Sequence, residues 1–325
     1  MKTLFIDCNP QFELVFRRVY RTDDPEVDVN NAPFRSADLP RMLDGYGICI
    51  DDHSYMPTEV MKECRSLKHI VFCGTGASSY MDVAALAELG ITVHTFRGYG
   101  DTAVAEHTIA LMFACARDIA VSDRRIRGGR WEPLEGVQLR GKTLGVIGLG
   151  GIGREVGRIG HGIGMNVIGW NRTKHGDLGV PLVELDTLLS TSDVISLNLS
   201  LFDETRGFLD AKRVARIKPG AILVNTARGA LVDEAALIEA LQSGRIRHAG
   251  LDVFHAEPLK ADHPLAEIGA ARGVRRSRHG ARGEPRAERA PAPERRDARL
   301  PERGAHREAA AGRDPGEHRA RRDRR

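Results

Sequence analysis

Short apolar runs alternate with amphipathic stretches along the first hundred residues of the chain. The runs at residues 2–7, 46–51, 69–73 and 91–96 are rich in β-branched and other apolar side chains, which predicts strands. Between them, residues 57–67 and 81–89 carry apolar side chains three and four positions apart, the spacing of one helix face. This alternation predicts a small α/β domain with a mostly parallel sheet, spanning residues 1–99.

A second and longer series of elements follows. Residues 102–127 form a helical pattern without Gly or Pro, which predicts one long helix able to bridge domains or subunits. Strands are then predicted at 144–147, 166–170, 193–199, 221–225 and 248–254, with helices between them, including 183–189, 211–217 and 233–242. Near-continuous apolar strands separated by helices predict a doubly wound sheet over residues 100–268. The fold class is therefore α/β, with two βα domains of the Rossmann or flavodoxin type on parallel sheets.

The end of the chain has a different composition. Residues 269–325 hold 18 Arg and no Lys against 9 acidic residues, and Val274 and Leu300 are their only aliphatic side chains beyond alanine. Such a segment cannot bury enough apolar surface to offset the entropy of ordering, so we expect an unpacked tail. One interpretation is an arginine-rich arm for RNA or acidic partners. The interpretation we favour is a GC-rich coding sequence read out of frame after about residue 268.

Charge and composition narrow the class of protein. The whole chain has a net charge of +4, and the tail alone has +9, so residues 1–268 have a net charge of −5. Since a protein that binds nucleic acid is expected to have a basic folded part, nucleic acid is not an expected partner. A hydrophobic share of 42% fits a folded protein of about two domains. No apolar run is long enough for a membrane span, and the first residues do not resemble a signal peptide. Five cysteines without CxxC spacing indicate reduced thiols in a cytoplasmic protein, and we expect no metal site.

A glycine motif lies between a predicted strand and a predicted helix. Gly148, Gly150 and Gly153 form GxGxxG there. In this context the first glycine allows a tight turn, the second admits a pyrophosphate and the third permits close packing of helix and strand. Gly151 and Ile152 lie in the same turn, where backbone amides and the helix dipole face phosphates. The sequence therefore predicts a dinucleotide site, against the alternative of a purely structural turn.

The choice between NAD and NADP depends on the end of the next strand. An acidic residue that bonds the ribose 2′-hydroxyl is expected there, but the chain has Asn171 and Arg172. Asn171 would not repel a 2′-phosphate, and Arg172 could pair with one. Arg172 could equally be a solvated loop residue, so NAD and NADP both remain open as the cofactor.

Four stretches together resemble one enzyme family. They are residues 104–108 (VAEHT), 144–153 (LGVIGLGGIG), 225–233 (NTARGALVD) and 250–254 (GLDVF), the last followed by Glu257 and Pro258. Their order and intervals are similar to those of the D-isomer-specific 2-hydroxyacid dehydrogenases, which include phosphoglycerate dehydrogenase and the glyoxylate and hydroxypyruvate reductases. The resemblance implies hydride transfer between NAD(P)H and a small 2-keto or 2-hydroxy acid. It also implies a homodimer formed through the long helix and the second domain.

The resemblance assigns roles to individual residues. Arg228 would bind the substrate carboxylate and polarise the reacting carbonyl, and Glu257 would support a catalytic histidine. Thr226, Ala227 and Asp252 would line the nicotinamide and ribose side of the cofactor. Backbone amides of residues 74–77 would meet the substrate from the smaller domain, and His107 would be a packing or hydrogen-bonding residue.

The histidine that Glu257 would support is not evident. The resemblance implies a Pro-His pair about 20 residues after this glutamate, but residues 273–280 contain no such pair. His279 lies at a tolerable interval, yet neighbouring arginines would disfavour its protonated form. Either His279 or no residue then supplies the proton. An alternative function is a dinucleotide-binding regulator that has no useful turnover.

Overall fold

Two all-parallel sheets of five strands each organise the described part of the chain. The computed structural model describes residues 1–74, 76–173 and 179–271. The elements of the first domain are β1 (Thr3–Phe5), α1 (Pro10–Val19), β2 (Val27–Val29), α2 (Leu39–Met42), β3 (Ile48–Asp51), α3 (Thr58–Met61), β4 (His69–Phe72), α4 (Val83–Glu88) and β5 (Thr92–Thr95). Two helices follow, α5 (Asp101–Ala116) and α6 (Ile119–Arg127). The remaining elements are β6 (Thr143–Ile147), α7 (Gly151–Gly162), β7 (Asn166–Trp170), α8 (Leu185–Thr191), β8 (Val194–Leu197), α9 (Ala211–Arg216), β9 (Ala221–Asn225), α10 (Glu234–Ser243), β10 (Ile246–Leu251) and α11 (Pro264–Ala271).

The first sheet has the strand order β2-β1-β3-β4-β5. Alternate residues of its strands, such as Ile70 and Phe72, are fully buried in one core cluster with Leu86 of α4. On the other side of the sheet, Phe5 makes an edge-on contact with Phe12 of α1. Because all five strands run in the same direction, their carboxyl ends lie along one edge, where a ligand site is expected in an open α/β sheet.

The second sheet has the strand order β10-β9-β8-β6-β7, and an isolated parallel bridge from Gly169 to Leu182 extends it beyond β7. Counting that bridge, the order in this domain is the 3-2-1-4-5-6 arrangement of a Rossmann sheet. The strand order reverses beside β6, and the glycine motif follows this strand directly. The predicted α/β class with two parallel-sheet domains is confirmed.

The prediction of one uninterrupted helix over residues 102–127 is wrong. The helix ends at Ala116, Asp118 adopts a left-handed conformation with φ 53°, and a new helix starts at Ile119. The Asp118 carboxylate contacts His248 at 2.9 Å and Arg247 at 3.6 Å on β10. These contacts hold Asp118 at the break, and Asp tolerates this conformation better than most residues. Without a Gly or Pro, the pattern carried no sign of the interruption.

Other boundaries also differ from the predictions. The pattern did not predict α1 and β2, and β10 spans Ile246–Leu251 rather than 248–254. Only three residues form β2, which has an acidic residue between two valines at the edge of the sheet, so its alternation is too short to detect. The helix α11 continues to Ala271. The rest of the arginine-rich tail, including His279, lies outside the described residues.

The cysteines are free thiols. Cys8, Cys49 and Cys64 are buried, and burial raises the pKa of Cys64 and of Cys115 to about 11. The thiols are therefore protonated near neutral pH and poor nucleophiles. Among the described residues, no group of three His, Cys, Asp or Glu side chains is placed to hold a metal ion. No described helix combines the length and the apolar character that crossing a membrane requires.

Candidate active site

The three glycines of the motif meet three different surroundings. Gly148 has φ 92°, and a Cβ atom there would lie 2.6 Å from the carbonyl oxygen of Asn198. A Cβ on Gly153 would collide with the carbonyl oxygen of Gly148. A Cβ on Gly150, in contrast, would meet no atom within 4 Å. Gly148 and Gly153 therefore serve the packing of the turn, whereas Gly150 leaves open space at the start of α7.

The side chain after β7 braces the glycine loop. Oδ1 of Asn171 accepts a hydrogen bond from the backbone N–H of Leu149 at 3.1 Å, and its Nδ2 donates to the carbonyl oxygen of Thr173 at 2.7 Å. Arg172 beside it is exposed. The position expected to hold a carboxylate thus carries a neutral amide next to a cation.

The guanidinium of Arg228 lies between the two domains. Nη1 donates to the carbonyl oxygen of Ala227 at 2.7 Å, and Cζ lies 5.7 Å from the centre of the Tyr80 ring. A Cβ on Gly76 would be 3.4 Å from Nη2, so the guanidinium also reaches the loop after β4. Arg228 therefore lies in the turn after β9 of the second domain and approaches a loop of the first domain.

Hydrogen bonds at the end of β9 fix the turn that carries Arg228. Asn225 is buried, its Nδ2 donates to the carbonyl oxygen of Arg228 at 2.9 Å, and its Oδ1 accepts from the N–H of Ala227 at 3.0 Å. The arrangement fixes the backbone at the point where the strand ends. A cleft opens beside this turn, lined by residues that include Gly76, Ser79, Ile152, Asn198, Thr226 and Arg228.

Helix α5 positions two further residues of the predicted site. Thr108 donates to the carbonyl oxygen of Val104 at 2.8 Å, and its oxygen lies 2.8 Å from that of Thr226. Since a hydroxyl has a single proton, Thr226 is then the donor to Thr108. At the end of β10, Oδ1 of Asp252 lies 3.3 Å from Nε2 of His107. Both Thr226 and Asp252 are therefore oriented from the same helix.

Glu257 lies in the loop after β10. Its Oε1 accepts a hydrogen bond from the N–H of Phe254 at 2.9 Å, and its side chain is exposed. A Cβ on Gly229 would collide with the backbone of Phe254, so this loop packs against the turn that carries Arg228. None of the described histidines is paired with Glu257.

A family model and several known proteins are similar in sequence to this chain. Residues 109–272 match the family description "D-isomer specific 2-hydroxyacid dehydrogenase, NAD binding domain". The chain is 42% identical over 237 residues to a hydroxypyruvate reductase of Thermotoga maritima, which covers 72% of this chain and 77% of that protein. It is 38% identical over 255 residues to a D-3-phosphoglycerate dehydrogenase of Archaeoglobus fulgidus, covering 76% of this chain and 48% of that protein.

The chain belongs to the D-isomer-specific 2-hydroxyacid dehydrogenase family. Its cofactor is accordingly NAD or NADP. A solved structure similar to it is an acyclic imino acid reductase in complex with NADPH and D-Arg, with a TM-score of 0.75, 31% identity, and coverage of 83% of this chain and 87% of that one. The chain spans about half the length of the phosphoglycerate dehydrogenases that it matches.

Two residues that the sequence pattern did not single out also line the cleft or contact Arg228. Asn198 lines the cleft, and no described residue hydrogen-bonds to its buried Oδ1. Its place directly after β8 is a signal that could have identified it, since polar residues at carboxyl strand ends often contact ligands. Tyr80, whose ring lies beside Arg228, has no comparable signal, because the contact joins two domains that are distant in sequence.

Proposed function

We propose that this chain transfers a hydride between NAD(P)H and a small 2-oxo or 2-hydroxy acid. The observation that carries the proposal is the cleft that Arg228 shares with Gly76 of the first domain and with Ile152 of the glycine motif. A planar guanidinium matches a carboxylate through two parallel hydrogen bonds. It can therefore anchor the acid group of the substrate and leave the adjacent C2 carbonyl directed into the cleft.

The remaining site residues have the following proposed roles. Gly148, Gly150, Gly151, Ile152 and Gly153 would hold the pyrophosphate at the start of α7. Thr226, Ala227 and Asp252 would line the ribose and nicotinamide. When bound, the nicotinamide supplies the hydride that C2 accepts, and the carbonyl oxygen takes a proton. Glu257 would position the group that delivers this proton.

We propose NADPH as the preferred cofactor. An acidic side chain after β7 would repel a 2′-phosphate, but Asn171 is neutral and the exposed Arg172 can approach one. The solved complex of the imino acid reductase with NADPH supports the same choice. We expect the variant Arg172→Ala to weaken NADPH binding about tenfold and to leave NADH binding within about twofold, because it removes the cation that would pair with the 2′-phosphate and leaves the hydrogen bonds of Asn171 in place. Two titrations followed by nicotinamide fluorescence check this, and tighter binding of NADH by the unchanged protein would contradict it.

A second candidate function is a dinucleotide-binding regulator without turnover. The feature of the sequence behind it is that residues 273–280 contain no Pro-His pair. A general acid is typically worth about 10²–10⁴ in rate, so its loss would leave little activity. The test combines titration with NADPH and oxidation of NADPH in the presence of glyoxylate, hydroxypyruvate or pyruvate. Oxidation supports the enzyme, tight binding without oxidation supports the regulator, and no binding contradicts both.

The proposed enzyme is expected to be a cytoplasmic homodimer. The family resemblance supports the dimer, in which the two helices of the predicted 102–127 segment, α5 and α6, and the second domain would form the contact. The charge of the first 268 residues is consistent with small anionic acids that are recognised locally by Arg228 and not through a broad basic surface.

A further inference from the structure

One aromatic ring of the first domain lies against the proposed substrate anchor of the second domain. Tyr80 follows the short turn Ala77–Ser79 between β4 and α4. Cζ of Arg228 lies over the Tyr80 ring, 5.7 Å from its centre. The face of an aromatic ring attracts a guanidinium within about 6 Å, so the contact between these two side chains is attractive.

The first domain fixes the position of the Tyr80 ring. Its centre lies 5.5 Å from that of the Phe72 ring, with the two planes inclined by 41°, and Phe72 is fully buried in the core. The backbone N–H of Tyr80 donates to the carbonyl oxygen of Ala77 at 2.9 Å, and the carbonyl oxygen of Tyr80 accepts from the N–H of Met56 at 2.9 Å. A residue held both at its backbone and by a neighbouring ring has little freedom to move away from Arg228.

The proposed function requires the guanidinium of Arg228 to keep one orientation. Its two parallel hydrogen bonds to a carboxylate depend on the plane and the direction of the fork. The side chain of an arginine is long and has many rotamers, so this orientation has to be imposed by its neighbours. The hydrogen bond from Nη1 to the carbonyl oxygen of Ala227 fixes one nitrogen, and the Tyr80 ring restricts how the rest of the group can rotate.

An aromatic residue can orient this cation without competing with the substrate. The ring attracts the guanidinium through its π face and takes up none of its N–H donors. A carboxylate at the position of Tyr80 would instead accept hydrogen bonds from the same N–H groups that a substrate carboxylate needs. Among the described residues that line the cleft, Gly76 and Ser79 come from this loop and Tyr80 does not, so its effect on a bound acid passes through Arg228.

We propose that Tyr80 is a positioning residue, which holds the guanidinium of Arg228 in the orientation that binds the substrate carboxylate. The anchor for the acid is then assembled from both domains, with the cation on one and the ring that orients it on the other. This inference rests on the proposed function and adds a residue to it. It predicts that loss of the ring weakens binding of the acid and leaves binding of the cofactor unchanged.

The test uses a dead-end complex, so it does not depend on turnover. The protein is first saturated with NADPH and then titrated calorimetrically with oxamate, an unreactive analogue of a small 2-oxo acid. We expect Tyr80→Leu to raise the dissociation constant of oxamate about five- to tenfold, and Tyr80→Phe, which keeps the ring, to leave it within about twofold. Binding of NADPH should stay within about twofold in both variants. If Tyr80→Leu does not fold, Tyr80→Met, which also lacks the ring, takes its place and should show the same loss.

A matched control separates the orientation of Arg228 from a general loosening of the first domain. Tyr46 packs against the same core cluster as Tyr80, and its hydroxyl donates to Asp28 at 2.8 Å. It lies before the amino end of β3, whereas Tyr80 lies beyond the carboxyl end of β4, so the two tyrosines are at opposite ends of the parallel sheet. Tyr46→Leu should therefore lower the melting temperature, as Tyr80→Leu does, and leave oxamate binding within about twofold.

The possible outcomes separate the two proposals. If the unchanged protein does not bind NADPH, or binds NADPH but not oxamate, the proposed function is overturned, and this inference with it. If both bind, an unchanged affinity for oxamate in Tyr80→Leu overturns the positioning role alone. An equal loss of oxamate binding in Tyr80→Phe or in Tyr46→Leu also overturns it, because the hydroxyl or the packing of the core would then be responsible.

Discussion

The proposed anchor for the substrate carboxylate is a single side chain, Arg228, on a turn that hydrogen bonds of Asn225 hold in place. Its fork geometry is the property that a lysine lacks, so Arg228→Lys keeps the charge and removes the paired hydrogen bonds. We expect kcat/KM for a 2-oxo acid to fall at least about 100-fold, which corresponds to about 2.7 kcal/mol of lost transition-state stabilisation. Binding of NADPH should stay within about twofold. Steady-state kinetics and cofactor titration on the same preparations check both expectations.

A matched control for Arg228→Lys is Arg41→Lys on the exposed surface of α2. It should leave the kinetics unchanged. If Arg228→Lys retains most of the activity, the guanidinium does not hold the substrate carboxylate, and the anchor must lie elsewhere.

Asp51 should make the stability of the protein depend on pH. It is fully buried at the end of β3, and burial together with repulsion from Asp7 raises its pKa to about 8 from 3.8. The N–H of Ser54 donates a hydrogen bond to Oδ1 of Asp51 at 3.0 Å, which opposes this rise in the pKa only in part. The folded state therefore binds this proton more tightly than the unfolded state does. The resulting stabilisation is complete below about pH 4 and is lost as the pH rises to about 8.

The variant Asp51→Asn isolates this effect, because an amide keeps a donor at the position without titrating. Between pH 5 and 7, the free energy of unfolding of the unchanged protein should fall relative to the variant by up to about 1.4 kcal/mol per pH unit. Urea denaturation at several pH values measures the difference. Asp44→Asn, an exposed carboxylate, should run parallel to the unchanged protein. A constant difference between Asp51→Asn and the unchanged protein would show that Asp51 does not hold its proton.

At the scale of the element, substitutions at two glycines of the glycine loop should affect protein stability and cofactor binding differently. A Cβ on Gly150 meets open space and one on Gly153 collides with backbone, although both positions lie in one motif. Gly150→Ala should therefore retain its melting temperature within about 2 °C and lose cofactor binding at least tenfold, because the methyl group occupies the pyrophosphate space. Gly153→Ala should lose several degrees as well as binding. Thermal denaturation and NADPH titration check the pair, and normal cofactor binding by Gly150→Ala would place the pyrophosphate elsewhere.

Helices and strands were predictable from the sequence where a long run of apolar residues ended at a recognisable turn. The strands before the glycine motif and before Arg228 have such patterns, and the structure places strands there. The break at Asp118 was not predictable, because its cause is a contact with His248 and Arg247 about 130 residues later. The amphipathic helix α1 was missed although Asn9 caps it and Pro10 begins it, two signals that are detectable in the sequence.

At the scale of the molecule, the half of the site that lies within one domain was predictable from the strand pattern, whereas the contribution of residues 74–77 from the other domain was implied only by the family resemblance. The glycine motif and the turn with Arg228 both follow strands of one sheet, so their joint position follows from the parallel order of that sheet. The approach of Tyr80 and Gly76 to Arg228 depends on how the two domains pack, and periodicity within a segment carries no information on that.

The proposed dimer can be tested through the apolar surface around α6. Ile119 and Ile126, each 53% exposed, lie two turns apart on one side of this helix, and Trp131 beyond it is 85% exposed. We propose that these side chains form part of the dimer contact. We expect a mass in solution of twice 35.7 kDa by light scattering, and Ile126→Glu should raise the dimer dissociation constant at least about 100-fold.

The exposed tryptophan gives a second and independent measurement of this association. If Trp131 is covered in the dimer, acrylamide should quench its fluorescence more strongly once the protein is diluted below the dissociation constant of the dimer. In Ile126→Glu this stronger quenching should be present at every protein concentration. Leu14→Glu on α1, where the leucine is 67% exposed, adds the same charge to another apolar surface and should leave the dimer intact. A monomeric mass for the unchanged protein, or dissociation by Leu14→Glu alone, would contradict association through α6.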